Sequence, residues 1–380
     1  MKVLLLGEYS GLHNTLKTGL VALGHQVTLV GDGDGFKNFP ADISIRPSFF
    51  NRPLVKYIKL GTYKLFGFDL LKLERGLRYA LQQKQLEGYD VVQLINEKPI
   101  KTMPWLERYF LKNIFKKNKK TILLSCGIDS FNLEFLLEKK FKYSLMNPYF
   151  ENEDLREIYK YILLYNTETH KKTHQLILKN ISGIIASDMD YAIPLRGHSL
   201  FKGLIPNPIH LEKLSYNPMT ISSEIVLFLG INRGNYYQKG IVYFEKALEI
   251  IKEKYGTKVK VILAENIPYS EYVNLYKSAH ILLDQVYSYD QGYNALEAMC
   301  SGKVVFTGAE TEFLTYFKLQ ENEVCFNGLA NVNYLVEKLS WLIDNPNEIL
   351  KIGENAKNFI YKEHDSLKIA RKYTDIYTRT

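Results

Sequence analysis

Nowhere in this 380-residue chain is there an apolar run of the length a membrane-crossing helix needs, about 18 residues or more, so no such helix is expected. The opening MKVLLLGEYSG holds one short apolar run with no small-residue cleavage pattern behind it, and it reads as a first strand, not a secretory leader. Cysteine is scarce. Cys126, Cys300 and Cys325 are odd in number and far apart, which excludes a disulfide framework and a zinc spacing and points to reduced thiols in a cytoplasmic protein. The three-glycine dinucleotide fingerprint is missing as well: Gly7-x3-Gly11 cannot bring a pyrophosphate close to the backbone, which counts against a dehydrogenase. Asp32-Gly33-Asp34-Gly35 lacks the spaced acidic ligands of a calcium loop and reads as a turn. There is no solenoid-length repeat and no low-complexity tract.

What is present is ordinary globular composition, 46% hydrophobic and 24% charged, at a length that favours two domains. The net charge of +8 is unevenly placed. Residues 1–200 carry 29 Lys+Arg against 20 Asp+Glu, whereas residues 201–380 are nearly balanced. Lys112, Lys116, Lys117, Lys119 and Lys120 form one basic cluster; Arg52, Lys56, Lys59 and Lys64 form another among Phe49, Phe50, Tyr57, Tyr63 and Phe66. Cations mixed with aromatic groups suit an anionic membrane surface, the alternative being a solvated basic face. Nucleic acid is not expected, because no recognition motif accompanies the charge.

Strand, loop, helix, strand order predicts an α/β protein with doubly wound parallel sheets. Residues 2–6 and 26–30 read as strands around a helix over 15–23, and further strands are expected at 90–95, 121–125 and 183–186. Ligands bind beyond the carboxyl ends of such strands, which makes Glu8, Tyr9, Gly11 and His13 of the first loop, and Asp129 after the fourth strand, site candidates. For Asp129 a helix cap is an equal alternative, and a lone loop histidine such as His13 is often a surface residue. Ser187-Asp188-Met189-Asp190 reads as a helix cap in preference to a metal pair. Pro206 and Pro208 block helix and mark an extended connector. The expected division is a first domain over 1–204, a hinge over 205–223 that includes Pro218, a second domain over 224–365, and a last helix over 366–380 with an apolar face for docking.

The second half repeats the alternation. Gly230–Gly240 is expected to be a loop before a helix N-terminus, where Arg233 and Lys239 can neutralise a diphosphate. Asp284 to Gly308, DQVYSYDQGYNALEAMCSGKVVFTG, reads as strand end, glycine-containing loop, helix and next strand. The open N–H groups near Gly292, Tyr293 and Asn294 can hold a phosphate, and Glu297, one turn in, can accept from a ribose diol.

These residues resemble a known signature. Gly292-x4-Glu297-Ala-Met-x2-Gly302-x-Val304-Val305 is similar to the nucleotide-sugar segment of retaining GT-B glycosyltransferases of family GT4; the Arg233–Lys239 loop and Leu204–Ile209 resemble two further elements of that family. The resemblance implies two Rossmann-like domains, the last helix crossing back to the first, with Glu297 on the ribose and Arg233 and Lys239 on the donor diphosphate. Where the family has a first Glu, eight residues before Glu297, this chain has Tyr289; Asp290 is adjacent. Asp284-Gln285 looks like the strand-end pair of a variant branch. The implied reaction transfers a hexosyl unit from a UDP- or GDP-sugar to a lipid-linked or surface-glycan acceptor, with retention, without metal or other cofactor, and His13 orienting acceptor or sugar. A sugar-nucleotide epimerase of the same fold and an inactive nucleotide- or glycan-binding subunit remain as alternatives.

Overall fold

A computed structural model describes residues 1–52, 55–66, 68–213, 219–221, 224–265, 267, 271 and 275–380, with the backbone alone at 36, 56, 58, 60, 63, 66 and 213. Part of the expected hinge, Pro218 included, lies outside the described residues, as do the side chains of Lys56, Tyr63 and Phe66.

The chain forms two compact units, Met1–Glu134 with Tyr161–Pro208 and Ser366–Thr380, and Phe135–Lys160 with Ile209–Asp365. The first is built on a seven-stranded sheet: β1 (Lys2–Leu6), β2 (Gln26–Gly31), β3 (Ile43–Ser44), β4 (Val91–Leu94), β5 (Lys120–Ser125), β6 (Gly183–Ala186) and β7 (Phe201–Leu204). The order is β3-β2-β1-β4-β5-β6-β7 and every pairing is parallel. Helices cover both faces of such a sheet, so its central strands can be apolar throughout; β1 and β4 are buried along nearly their whole length. The order reverses between β1 and β4, and the loops leaving these two strands flank the crevice where doubly wound sheets take ligands.

The second unit holds β8 (Ile225–Ile231), β9 (Val259–Glu265), β10 (Ile281–Leu283), β11 (Val304–Thr307) and β12 (Phe326–Asn327) in the order β12-β11-β10-β8-β9, again all parallel. Its reversal falls between β8 and β10. A core of Leu227, Leu229, Phe244, Leu248, Phe306 and Leu339, among others, fills the space between this sheet and its helices.

The last helix, Ser366–Arg379, packs on helix Leu12–Ala22 in the first unit. Gly19 makes this approach possible, since a Cβ there would lie 2.3 Å from the Ser366 carbonyl. Tyr377 Oη donates to Gln93 Oε1 at 2.5 Å, and Gln93 Nε2 lies 3.1 Å from His13 Nε2.

Three expectations need correction. The first helix begins at Leu12, because Gly11 adopts the left-handed conformation of a helix entry (φ 83°). The stretch 232–240 is not open loop: a 3-10 turn at Arg233–Asn235 leads into a short helix, Tyr236–Lys239. Asp188 occupies an N-cap position, but its side chain makes no capping bond and instead accepts from Ser187 Oγ at 3.3 Å.

Candidate functional site

In the second unit, the ends of β8 and β10 bring together residues far apart in sequence. Lys239 Nζ donates to Asp284 Oδ1 at 2.7 Å, Asn294 Nδ2 donates to the same oxygen at 3.0 Å, and Thr307 Oγ1 lies 3.4 Å from Asp284 Oδ2. Asp284 is thus a buried hub that holds the lysine against the first turn of helix Tyr293–Cys300. Gly240 fixes the lysine's backbone. It is left-handed (φ 64°), and a Cβ there would meet Val286 Cγ2 at 2.3 Å, so only glycine lets Val286 N reach the Lys239 carbonyl at 3.0 Å. Arg233 is more exposed; its fork pairs with both Glu265 oxygens, Nε at 2.7 Å and Nη2 at 2.6 Å, over the Tyr236 ring. Glu265 holds the Arg233 guanidinium well above its usual range. Gln238, next to Lys239 in the chain, is buried, and neither of its amide atoms has a hydrogen-bond partner among the described residues.

Helix Tyr293–Cys300 has Gly292 at its N-cap, which puts the positive end of the helix dipole at the end of this loop, and Glu297 is exposed one turn along. Gln285 Nε2 and Ser288 Oγ donate to the Asp290 carbonyl at 3.4 and 2.8 Å, while Asp290 Oδ1 accepts from Gln291 N at 2.7 Å. Asp290 therefore shapes this loop from a buried position. Tyr289 is buried too. Its ring packs on Phe141 and Tyr143, and its hydroxyl accepts from Lys142 N at 2.8 Å. Glu310, just past β11, accepts from Tyr143 Oη at 2.5 Å, Lys142 Nζ at 2.9 Å and Asn327 Nδ2 at 2.9 Å. The position expected to carry a carboxylate thus anchors a segment of the chain's first half.

In the first unit the candidates divide. Glu8 accepts from His13 N, Asn14 N and Asn14 Nδ2, capping helix Leu12–Ala22, and burial pushes its carboxyl up to about 7. His13 is a core residue and not a loop residue. It has no exposed surface, its Nδ1 lies 2.7 Å from the Gly7 carbonyl, and burial lowers its pKa to about 3, which keeps the ring neutral. With both ring nitrogens engaged inside the unit, it presents no atom to an acceptor in this structure. Tyr9 is half-buried, with Lys101 Nζ 4.5 Å above its ring. Asp129 is buried and caps its helix by accepting from Asn132 N at 2.8 Å; burial, reinforced by Glu97, raises its pKa to about 7.

The whole-chain architecture has counterparts among solved structures. Sucrose-phosphate synthase from Thermosynechococcus elongatus is 17% identical with a TM-score of 0.60, covering 100% of this chain and 98% of its own. Anabaena Alr3699/HepE in complex with UDP-glucose is 13% identical at 0.58, covering 100% of both chains. UDP-GlcNAc 2-epimerase from Neisseria meningitidis, bound to UDP-GlcNAc, is 14% identical at 0.53, with 100% of both covered. The fold is GT-B. Residues 238–375 of this GT-B chain, most of them in the second unit, match the family model described as Glycosyl transferase-like. Among curated proteins none matches the sequence.

Sequence reasoning missed one group in the first GT-B unit. Glu97, just past β4, accepts from His170 Nε2 at 2.6 Å, His174 Nδ1 at 2.5 Å and Ser130 Oγ at 2.8 Å. Burial pushes its carboxyl up, but the two histidine bonds outweigh that and hold it at about 2. Asn96-Glu97-Lys98 is a polar triplet at a strand's carboxyl end, the same signal that singled out Asp129.

Proposed function

We propose that the protein is a retaining glycosyltransferase that moves a hexosyl unit from a nucleoside-diphosphate sugar to a lipid-linked or surface-polysaccharide acceptor. The observation that carries this reading is the Lys239–Asp284–Asn294 cluster at the helix entry of a domain matching the glycosyl transferase-like family. A diphosphate seated there would meet Lys239, the helix entry at 292–294 and, after exchange of Glu265 for phosphate, the fork of Arg233. Negative charge grows on the leaving diphosphate as the glycosidic bond breaks, so these groups would stabilise the transition state more than the ground state. One such group is typically worth about 3 kcal/mol of activation free energy. In this reading no metal or other cofactor is needed, Glu297 holds the ribose, and the acceptor enters at the first unit's switch point. His13, being buried, would act there only by holding the Gly7 carbonyl in place.

Among the described residues no helix is long and apolar enough to cross a membrane. Helix Pro104–Lys117 exposes Trp105, Tyr109, Lys112 and Lys116 at helical spacing, an apolar-to-basic face that supports peripheral contact of a cytoplasmic enzyme with an anionic bilayer. Sedimentation with anionic liposomes at low salt, reduced in Trp105→Ser/Lys112→Ser, tests this; no sedimentation of wild type refutes it.

The donor site is tested by thermal shifts with UDP, GDP and their sugar conjugates. Ligand at a hundred times its dissociation constant stabilises by roughly 2.7 kcal/mol. A shift with one nucleotide family, lost in Arg233→Ala and Glu297→Ala, is expected; none with any nucleotide refutes the reading. The UDP-GlcNAc 2-epimerase similarity favours a second reading, in which the protein converts the donor alone and turnover is independent of acceptor.

A further inference from the structure

Both cations of the second unit's candidate site are paired with carboxylates, and the two carboxylates differ. Asp284 is fixed: its side chain is 1% exposed and accepts from Lys239, Asn294 and Thr307, so it cannot leave the lysine. Glu265 is not. It closes β9, the end strand of its sheet among the described residues, and pairs in register with Ile231, two residues before Arg233. That register puts Glu265 at the carboxyl ends of β8 and β9, the end of a parallel sheet that takes ligands. Asn232 Oδ1 accepts from Gly234 N at 2.9 Å, a tight turn that carries Arg233 to the same end. The guanidinium meets both Glu265 oxygens, at 2.7 and 2.6 Å, with side chains 54% and 30% exposed. Glu245 lies further off, 4.0 Å from Arg233 Nη2, and is itself engaged by the Tyr236 hydroxyl. Arg233 Nη1 has no hydrogen-bond partner among the described residues. The bond from Arg233 lowers the Glu265 pKa, so this carboxylate is ionised at neutral pH.

A guanidinium fork takes a carboxylate or a phosphate in the same planar, two-bond geometry, and an ion pair this open to water is held weakly. We propose that Glu265 is a place-holder for the donor's diphosphate: it occupies the Arg233 fork and competes with the nucleotide for it. This rests on the transferase reading, and it makes Glu265 a determinant of donor affinity that acts through Arg233. Exchange starts on Nη1, whose N–H groups can meet a phosphate oxygen before Nε and Nη2 release Glu265. Lys239 behaves otherwise, sharing its charge between Asp284 and the phosphate. A ligand without phosphates has nothing to offer the fork, so the competition is felt by the nucleotide and not by its nucleoside.

The test is isothermal titration calorimetry of UDP and GDP, each beside its nucleoside, on the full chain as wild type, Glu265→Gln, Arg233→Ala and the double variant. Glu265→Gln is expected to bind the diphosphate about three- to fivefold tighter, the range an exposed ion pair allows, with nucleoside affinity unchanged. Added to Arg233→Ala, the same substitution must restore none of the binding that the alanine removes. That arm separates competition for the fork from a general gain on removing a negative charge, which would persist without the arginine. Should Glu265→Gln be unstable, Glu265→Ala must tighten the diphosphate in its place. Equal or weaker diphosphate binding by the Glu265 variant, an equal gain for the nucleoside, or a gain that survives loss of Arg233 overturns the proposal. The two readings fail differently: diphosphate bound equally by wild type and Glu265→Gln sinks the place-holder alone, whereas no binding of UDP or GDP by either protein sinks the donor site and the place-holder with it.

Discussion

Gly240 permits a direct calculation. Replacing it with alanine forces an L-residue into the left-handed region at φ 64°, which costs about 1–2 kcal/mol, and drives a methyl to 2.3 Å from Val286 Cγ2 and 3.0 Å from Tyr287 Cε2. Overpacking of that kind adds about 1–3 kcal/mol, for a total of about 2–5 kcal/mol. In a domain of about 150–250 residues each kcal/mol lowers Tm by roughly 2–4 °C, so a fall of about 5–20 °C is expected. The steric part can be isolated. Val286→Ala removes the atom that the new methyl meets, so in a double-mutant cycle of urea-unfolding free energies the pair should be more stable than the sum of its singles by about 1–3 kcal/mol. The wedge also pries Val286 N from the Lys239 carbonyl, so the single variant should lose its UDP-induced shift and the pair should regain part of it. Additivity within about 0.5 kcal/mol would refute the argument that glycine is required here by close approach.

Tyr289→Phe removes only the hydroxyl that accepts from Lys142 N and should cost about 1 kcal/mol in urea unfolding; Tyr289→Glu also loses the packing on Phe141 and Tyr143 beside Glu310, and should cost about 3 kcal/mol or more. Tyr377→Phe leaves buried Gln93 Oε1 unpaired, so a loss of about 1–3 kcal/mol, with faster amide exchange in helix Ser366–Arg379, is expected by hydrogen exchange. Glu8 carries a raised folded pKa of about 7 against 4.5 unfolded, so the folded state retains a proton that the unfolded chain has released between these values. Its contribution is full below 4.5 and is lost as pH rises through about 7. Glu8→Gln should therefore flatten the fall in urea midpoint between pH 5 and 8, incompletely because Asp129 has the same sign; an unchanged slope would refute this.

Much of this was legible because the strongest signals are local. Central strands such as Val3–Leu6 and Leu227–Leu229 are buried on both faces and so appear as unbroken apolar runs between turn residues. Arg233, Lys239 and Asn294 could be singled out because strand ends and helix entries announce where a parallel sheet takes ligands, and Asp284 by its likeness to a family's strand-end pair. What failed was side-chain direction. His13 lies two residues past a glycine at a helix entry, a place equally open to solvent or core, and what holds it inward is the Gly7 carbonyl together with Gln93, eighty residues on. Glu97 meets its histidines across 73 and 77 residues, and Glu310 meets Tyr143 and Lys142 across 167 and 168. No periodicity encodes such pairings. A polar triplet after a strand marks a place, not a partner.

The residues Phe135–Lys160, counted with the second unit though encoded between β5 and β6 of the first, bear on how such a protein can be recombined. A chimera spliced near Pro208 would inherit Tyr289 and Glu310 from one parent and the Phe141, Lys142 and Tyr143 that cover them from the other. Unless that stretch travels with its cognate partner, a buried carboxylate would face a foreign surface and an aromatic cluster would be left half built. For this chain the unit of exchange is therefore discontinuous: two separate gene segments, inherited together.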